Sequence, residues 1–506
     1  MRSSLQSLIR RAVAVFLTIG ALSLPIMAQD PEPAASRPNI LFLFADDLSY
    51  EVLGFMGNRE VATPHLDALA AKGTVFTHAY NMGSWSGAVC VASRHMLNTG
   101  LSVWRAEKAA AALASGGRKK NGQPQPTSPG DPNFKEKGWL WSQLMAAAGY
   151  ETCFTGKWHV NADPKAIFQQ VGTVRAGMPK DTKEGYNRPL EGLPDPWSPS
   201  DPKFGGYWEG GTHWSVVVAN EAIGFLESAR AENRPHFMYV AFNAAHDPRQ
   251  APQSYIDRYP ASKVAVPEDF LPEYPWAEPM ASGRGLRDEK LAPFPRTRHA
   301  VQVNRQEYFA LISHLDDQIG RIVAALEKSG KADKTWIFFT ADHGLAVGHH
   351  GLMGKQNPFD HSIRVPFFVV GPGVKAGQRL DAPIYLQDVM PTSLELAGTK
   401  VPDRVEFHSL LPLLKGDTGN VRSRIYQSYL KNQRGLVRGD YKLVLYPTAS
   451  KMLLFNLKED PMEMHDLAAD PASAATLRSL FLDLLEEQKS LEDSLDLRKA
   501  FPGLAP

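Results

Sequence analysis

An acidic pair, an aspartate-histidine pair and a further histidine are the first residues in this chain that could do chemistry. Asp46-Asp47 follows the apolar run Ile40–Phe44, and Asp342-His343 follows Trp336–Thr340. His246 lies in Asn243–Asp247, directly after Phe237–Phe242. The carboxyl ends of strands are where open α/β sheets build their sites. A lone strand-end aspartate is usually a helix cap. Four such Asp and His residues at two separate places are poorly explained by capping. Three carboxylates and an imidazole suit a hard divalent cation, Ca²⁺ or Mg²⁺.

A second constellation is Cys90-Val91-Ala92-Ser93-Arg94, followed by Leu97-Asn98-Thr99-Gly100. A cysteine just before a helical segment can be a low-pKa thiolate. It can also be an inert buried residue. A cysteine-phosphatase loop would need arginine six positions on, and that position is Met96. Cys153, the other cysteine, sits in an apolar strand and reads as packing. His159 alone reads as a core histidine, and Asp316-Asp317 as a polar helix face or a buried bond. His349 and His350 read as loop structure. Trp85, Trp104, Trp158 and Trp214 could line a pocket or fill the core.

The elements that must position these residues alternate. Continuous apolar runs read as buried parallel strands. Thr63-Pro64 opens a helix that Gly73 closes. Further helix patterns cover Trp139–Ala148, Trp214–Ala229 and Gln302–Lys328. The last carries Tyr308, Leu311, Ile312, Leu315, Ile319, Ile322, Val323 and Leu326 on one stripe. The expected fold is α/β: a large mixed, mostly parallel sheet with helices on both faces. The catalytic part is placed at 39–402. After it come short strand patterns and a final helix at Ala472–Leu491, giving a small α+β C-terminal subdomain over 403–506. Ala106–Lys137, Lys180–Gly211 and Arg249–Arg298 lack periodicity and read as long loops. Segments of that kind in a compact domain are functional or disordered.

The chain has 506 residues, 43% hydrophobic and 22% charged, with a net charge of +1. That charge gives no reason to expect nucleic acid. Arg2, Arg10 and Arg11 precede an apolar run to Met27, with a small residue at Ala28. This is the grammar of a signal peptide over 1–28, followed by a Pro-rich linker at 29–38. The run is short for a membrane span, so none is expected once the signal is cleaved. The two cysteines need not be paired, and the sequence holds no Asn-x-Ser/Thr acceptor. An exported protein is expected, periplasmic or extracellular and bacterial.

Taken together, the motifs resemble the formylglycine-dependent (type I) sulfatase family of the alkaline-phosphatase-like superfamily. Cys90-Val91-Ala92-Ser93-Arg94 with Thr99-Gly100 resembles its signature. Asp46-Asp47, Gly156-Lys157-Trp158-His159, His246, Thr340–Gly344, Gly348–Gly351 with Lys355, Arg364-Val365-Pro366, Asp388–Thr392 and Asp460–Glu463 follow in order and spacing. Ala92 stands where many members have proline, and His343 where many have asparagine.

The resemblance implies that a maturation enzyme oxidises Cys90 to formylglycine. It implies one divalent metal, Ca²⁺ with Mg²⁺ as the alternative, on Asp46, Asp47, Asp342, His343 and residue 90. Arg94 and Lys157 would hold the modified residue, and Lys355 a sulfate oxygen. His246 would protonate the leaving group, and His159 would act as base. The substrate would be a sulfated small molecule or saccharide. Arg249, Trp85 and Trp104 are candidates for contacting its organic part, with Arg249 as a solvated loop charge the other reading. A phosphodiesterase or phosphonate monoester hydrolase of the same superfamily is the alternative enzyme. A non-catalytic glycan-binding relative is the alternative of another class.

Overall fold

The computed structural model describes residues 37–115, 119–120, 123–124, 134–229, 234–417 and 422–504. The expected signal peptide and nearly all of the linker lie outside these residues. Among the described residues, no helix is long and apolar enough to cross a membrane.

The central strand, β1 (Asn39–Ala45), is buried along its whole length. Seven consecutive buried positions require a covered sheet face on both sides. Helices α1 (Pro64–Ala71), α2 (Val89–Thr99), α3 (Val103–Ser115), α4 (Trp141–Ala147), α5 (Trp214–Ser228) and α6 (Arg298–Lys328) belong to this part. The other strands are β2 (Thr74–Phe76), β4 (Glu151–Lys157), β5 (Gln170–Arg175), β6 (His236–Ala241), β7 (Thr335–Ala341), β8 (Phe367–Val370) and β9 (Gln378–Leu380). They form one eight-stranded sheet in the order β9-β2-β8-β7-β1-β6-β4-β5. The β7-β1-β6-β4-β5 block is parallel, while β8 runs antiparallel to both neighbours. The fold is therefore α/β, with a large, mostly parallel sheet.

The register sets the site. Ala45 pairs with Ala341 and Phe44 with Ala241. Asp46-Asp47, Asp342 and the His246 segment thus leave three adjacent strands at the same edge. Lys157 ends β4, the next strand over.

A second sheet has five strands, in the order β13-β12-β11-β10-β3. Four are C-terminal: β10 (Ile425–Tyr429), β11 (Gln433–Arg438), β12 (Tyr441–Tyr446) and β13 (Lys451–Asn456), with α7 (Ala474–Ser490) packed on them. The fifth, β3 (Gly83–Ser84), comes from the segment that leads into Cys90 and lies parallel to β10. A Cβ on Gly83, whose φ is +105°, would fall 1.9 Å from the Ser428 carbonyl oxygen, so only glycine allows this approach.

Two expectations are corrected. Ala106–Ser115, read as loop, continues helix α3, because its alanine-rich stretch is a good helix former despite a weak pattern. The apolar run Val365–Val370, which the rule for apolar runs reads as one buried strand, is split. Arg364–Val365 pairs with Ala79–Tyr80, and only Phe367–Val370 joins the large sheet.

Candidate functional site

Cys90 is the second residue of α2, and its side chain is buried. Its Sγ lies 3.4 Å from Lys355 Nζ and 3.7 Å from Asp47 Oδ1. Burial, then Asp342 and Asp46, push its thiol pKa well above the ordinary range. A nucleophilic thiolate is therefore disfavoured here, and so is the low-pKa reading.

Ligand atoms of Asp46, Asp47, Asp342 and Cys90 all lie within 4.8 Å of one another. Three cations meet these carboxylates. Lys157 Nζ contacts Asp46 Oδ2. Arg94 Nε lies 2.9 Å from Asp342 Oδ2, and its Nη1 donates to the Lys157 carbonyl oxygen at 2.8 Å. Lys355 Nζ bridges both oxygens of Asp47 at 2.6 and 2.9 Å. Asp46 Oδ1 accepts no hydrogen bond. Burial and then Asp342 hold the Asp46 pKa well above the ordinary carboxylate range, and burial lifts Asp47 to about 6. Asp342 stays below its ordinary value, because Arg94 and then Lys157 outweigh its burial. Carboxylates this crowded, one with an unsatisfied oxygen, fit a hard divalent cation.

His343 is not one of the four. It is buried beside them, its Nδ1 donating to the Gly344 carbonyl oxygen at 3.0 Å, and it lines a narrow slot with Lys355. His246 is closer, with Nε2 3.5 Å from Asp47 Oδ2. A carbonyl can only accept, so the 2.6 Å contact from His246 Nδ1 to the Asp247 carbonyl oxygen fixes the proton on Nδ1. Nε2 is thereby turned to the site. Burial, then Lys355, lower the His246 pKa.

His159 is half-buried at φ 59°, in the left-handed region where most side chains are strained. Its Nδ1 is buried without a partner, and burial, then Lys157, bring its pKa down to about 3. A Cβ at Gly177 would lie 2.4 Å from the His159 ring. Gly177 is thus a requirement of the site that the sequence reading did not single out.

The remaining candidates divide. Arg249 is only 2% exposed. Its Nη1 donates to Asn304 Oδ1 at 3.1 Å, and its guanidinium stacks 5.5 Å from the Tyr308 ring centroid. It is not a solvated loop charge: it packs on α6. Tyr308 itself donates to the Asp47 carbonyl oxygen at 2.8 Å and accepts from Ser49 N at 2.9 Å. In sequence it belongs to an apolar stripe, so its hydroxyl gave no signal. Trp85 packs edge-on to His95, and Trp104 Nε1 donates to Tyr426 Oη at 3.1 Å. Both line a surface groove whose walls do not include Cys90. Asp316 accepts from His65 N and Leu66 N, tying α1 to α6. Cys153 is buried and forms no disulfide.

The sulfatase family profile matches residues 38–399, and a profile for the C-terminal part of N-sulphoglucosamine sulphohydrolase matches 348–490. An arylsulfatase of Clostridium perfringens is 26% identical over 92% of this chain and 98% of its own. An N-acetylglucosamine-6-O-sulfatase of Bacteroides thetaiotaomicron is 24% identical over 95% of this chain and 91% of its own. A protein solved with D-glucosamine-2-N,6-O-disulfate superimposes at a TM-score of 0.67 and 22% identity, covering 90% of this chain and 99% of that one. The phosphonate monoester hydrolase of Silicibacter pomeroyi gives 0.69 at 21%, over 91% and 96%. With a family profile spanning most of its length, and sulfatases matching nearly end to end, this chain belongs to the sulfatase family and is a sulfuric ester hydrolase.

Proposed function

We propose that the chain hydrolyses a sulfate ester of a saccharide, using a formylglycine made from Cys90 by a maturation enzyme. Asp46, Asp47, Asp342 and residue 90, with His343 beside them, would hold one divalent cation, Ca²⁺ with Mg²⁺ as the alternative. The observation that carries this reading is the crowding of three buried carboxylates and three cations around a cysteine whose own thiolate is disfavoured. When bound, the cation supplies Lewis-acid polarisation of the sulfate and of the attacking oxygen.

The chain's own groups do the rest. Residue 90, oxidised and hydrated, offers the attacking oxygen, and Arg94 and Lys157 fix its orientation. Lys355, within 3.4 Å of Sγ, is placed to neutralise a sulfate oxygen. His246, with its Nδ1–H held by the Asp247 carbonyl and Nε2 turned to the site, protonates the departing alkoxide once a second proton at Nε2 has made it the imidazolium. His159 removes the proton of the second hydroxyl, so that the carbon–oxygen bond to sulfate breaks, sulfate leaves and the aldehyde reforms. The saccharide assignment is supported by relatives named for sugar sulfates. Export to the periplasm or exterior is the matching location.

The test is the mass of the peptide containing residue 90, from protein produced with a maturation enzyme. Formylglycine or its hydrate is expected, together with turnover of sulfate esters well above phosphonate esters. Full activity with an unmodified thiol overturns the mechanism. A preference for phosphonate esters instead favours the second reading, which the fold of the phosphonate monoester hydrolase also accommodates.

A further inference from the structure

We propose that the groove between α3 and the β10–β11 hairpin holds neighbouring sugar units of the same substrate chain, and that these units are neutral or sparsely sulfated. The proposal rests on the saccharide sulfatase reading and extends it from the sulfate to what surrounds it.

Three observations place the groove next to the chemistry. Trp85, on its wall, is five residues before Cys90, and the intervening Gly87-Ala88 is exposed. The hairpin is pinned to the same segment, since Leu430 N donates to the Ser84 carbonyl oxygen at 2.9 Å. Arg434 lines both the groove and the slot containing Lys355 and His343. That slot holds only about 20 Å³, while the groove holds about 610 Å³. The slot has room for about one water, and the groove is of ligand size. The organic part of a substrate larger than one sugar finds its room in the groove.

The chemistry of the walls chooses the occupant. Two half-buried indoles line it: Trp85 offers an apolar face of the kind that stacks on sugar rings, while Trp104 carries the Arg434 guanidinium 4.8 Å from its ring centroid. The cations Lys108, Lys431 and Arg434 face the carboxylates Glu107, Glu492, Asp493 and Asp496. Two of the cations are already committed: Lys108 Nζ lies 2.7 Å from Glu492, and Arg434 Nε 2.6 Å from Asp493. With no surplus positive charge, the groove repels a densely sulfated stretch. It offers acceptors and donors to hydroxyls instead. Its walls are also preorganised: Trp104 Nε1, Tyr426 Oη and Asp493 form a bonded chain, and Asn432 Nδ2 donates to the Pro279 carbonyl oxygen at 3.0 Å.

The test uses full-length protein with residue 90 matured. kcat/KM is measured on 4-nitrophenyl sulfate, on monosaccharide sulfates, and on tetrasaccharides with the same terminal sulfate. The tetrasaccharides differ in whether their other units are sulfated. Wild type is expected to prefer the tetrasaccharide with unsulfated neighbours over the monosaccharide. Trp85→Ala is expected to lower that tetrasaccharide value about fivefold to tenfold more than the aryl sulfate value, the range of one aromatic stack. Trp85→Tyr is expected to restore most of it, which a folding defect would not allow. The proposal is overturned by equal losses on both substrates, by no gain with chain length, or by preference for sulfated neighbours. Wild type that fails on every sulfate ester overturns the sulfatase reading as well.

Discussion

His349 and Cys90 each sit in a cluster of charges, His349 in the segment after β7 and Cys90 at the start of α2. His349 Nε2 lies 2.7 Å from Glu51 Oε1, and its Nδ1 lies 2.9 Å from Asp269 Oδ1. Burial works against both charges, yet His349 is raised to about 9 by Glu51 and Asp269, and Glu51 is lowered by His349. Each partner strengthens the charged form of the other. Around Cys90 the balance is different: Asp46 and Asp47 are pushed up although Lys157, Lys355 and Arg94 touch the cluster. His349 and Asp269 are as buried as the groups around Cys90 and only Glu51 is partly exposed, so solvent alone does not explain the contrast. The His349 cluster is closed by its own residues. In the Cys90 cluster Asp46 Oδ1 is left without a hydrogen bond, and perturbed buried carboxylates of this kind mark functional sites.

The sharpest way to break this comparison is to remove one carboxylate from each side of it. Asp342→Asn takes away the carboxylate that Arg94 and Lys157 hold ionised. Turnover is expected to fall by on the order of 10³-fold or more, the cost of losing a preorganised electrostatic group. Wild-type protein should gain thermal stability on adding Ca²⁺, and the variant should gain little. A variant that keeps both its turnover and its Ca²⁺ response would remove Asp342 from the proposed metal set.

The His349 cluster should instead report in stability and pH. Its folded pKa lies above the unfolded value of about 6.5. Its contribution is therefore fully present below about pH 6.5 and is lost as pH rises through about 9. The shift corresponds to about 3 kcal/mol. Urea unfolding at both ends of that window should show wild type losing this stability, while His349→Gln lacks it throughout. Identical pH slopes for the two proteins would refute the pairing. The variant should also disturb Lys355, because the Gly344–Lys355 loop that His349 anchors carries it.

How much of this was legible in the sequence follows from where each signal lives. The strand-end aspartates and histidines were legible because an unbroken apolar run fixes both the strand and its end. Cys90, Arg94 and Lys157 were legible because the motif is local, and the structure brings them together. What stayed hidden depends on distant partners. Ser428 makes Gly83 obligatory, and Gly177 is required only because the His159 ring lies against it. The Tyr308 hydroxyl looked apolar until its bond to Asp47, 261 residues away, was visible. Helix α3 was missed because local alanine propensity was outweighed by the absence of a clear stripe.

Arg249 is where sequence and structure disagree most usefully, and it yields the smallest expected effect. Sequence placed it three residues after His246, as a guanidinium for the substrate or a solvated loop charge. The fold instead buries it against Asn304 and Tyr308, leaving Nε and Nη2 without partners. Tyr308 is the link to chemistry, since its hydroxyl holds both the Asp47 carbonyl and Ser49 N. A lysine at 249 would keep the charge but lose the planar stack and the directed bond to Asn304. Arg249→Lys is then expected to shift Tyr308 and, through it, the Asp47 loop. Supporting residues around metal ligands are worth about tenfold to a hundredfold, and a charge-conserving change should sit near the low end. kcat should fall about tenfold, in parallel on an aryl sulfate and on a saccharide sulfate, because the Asp47 loop serves both reactions equally. A loss confined to the saccharide would instead put Arg249 in contact with the sugar. That result would move the boundary between framework and recognition one shell inward, toward His246.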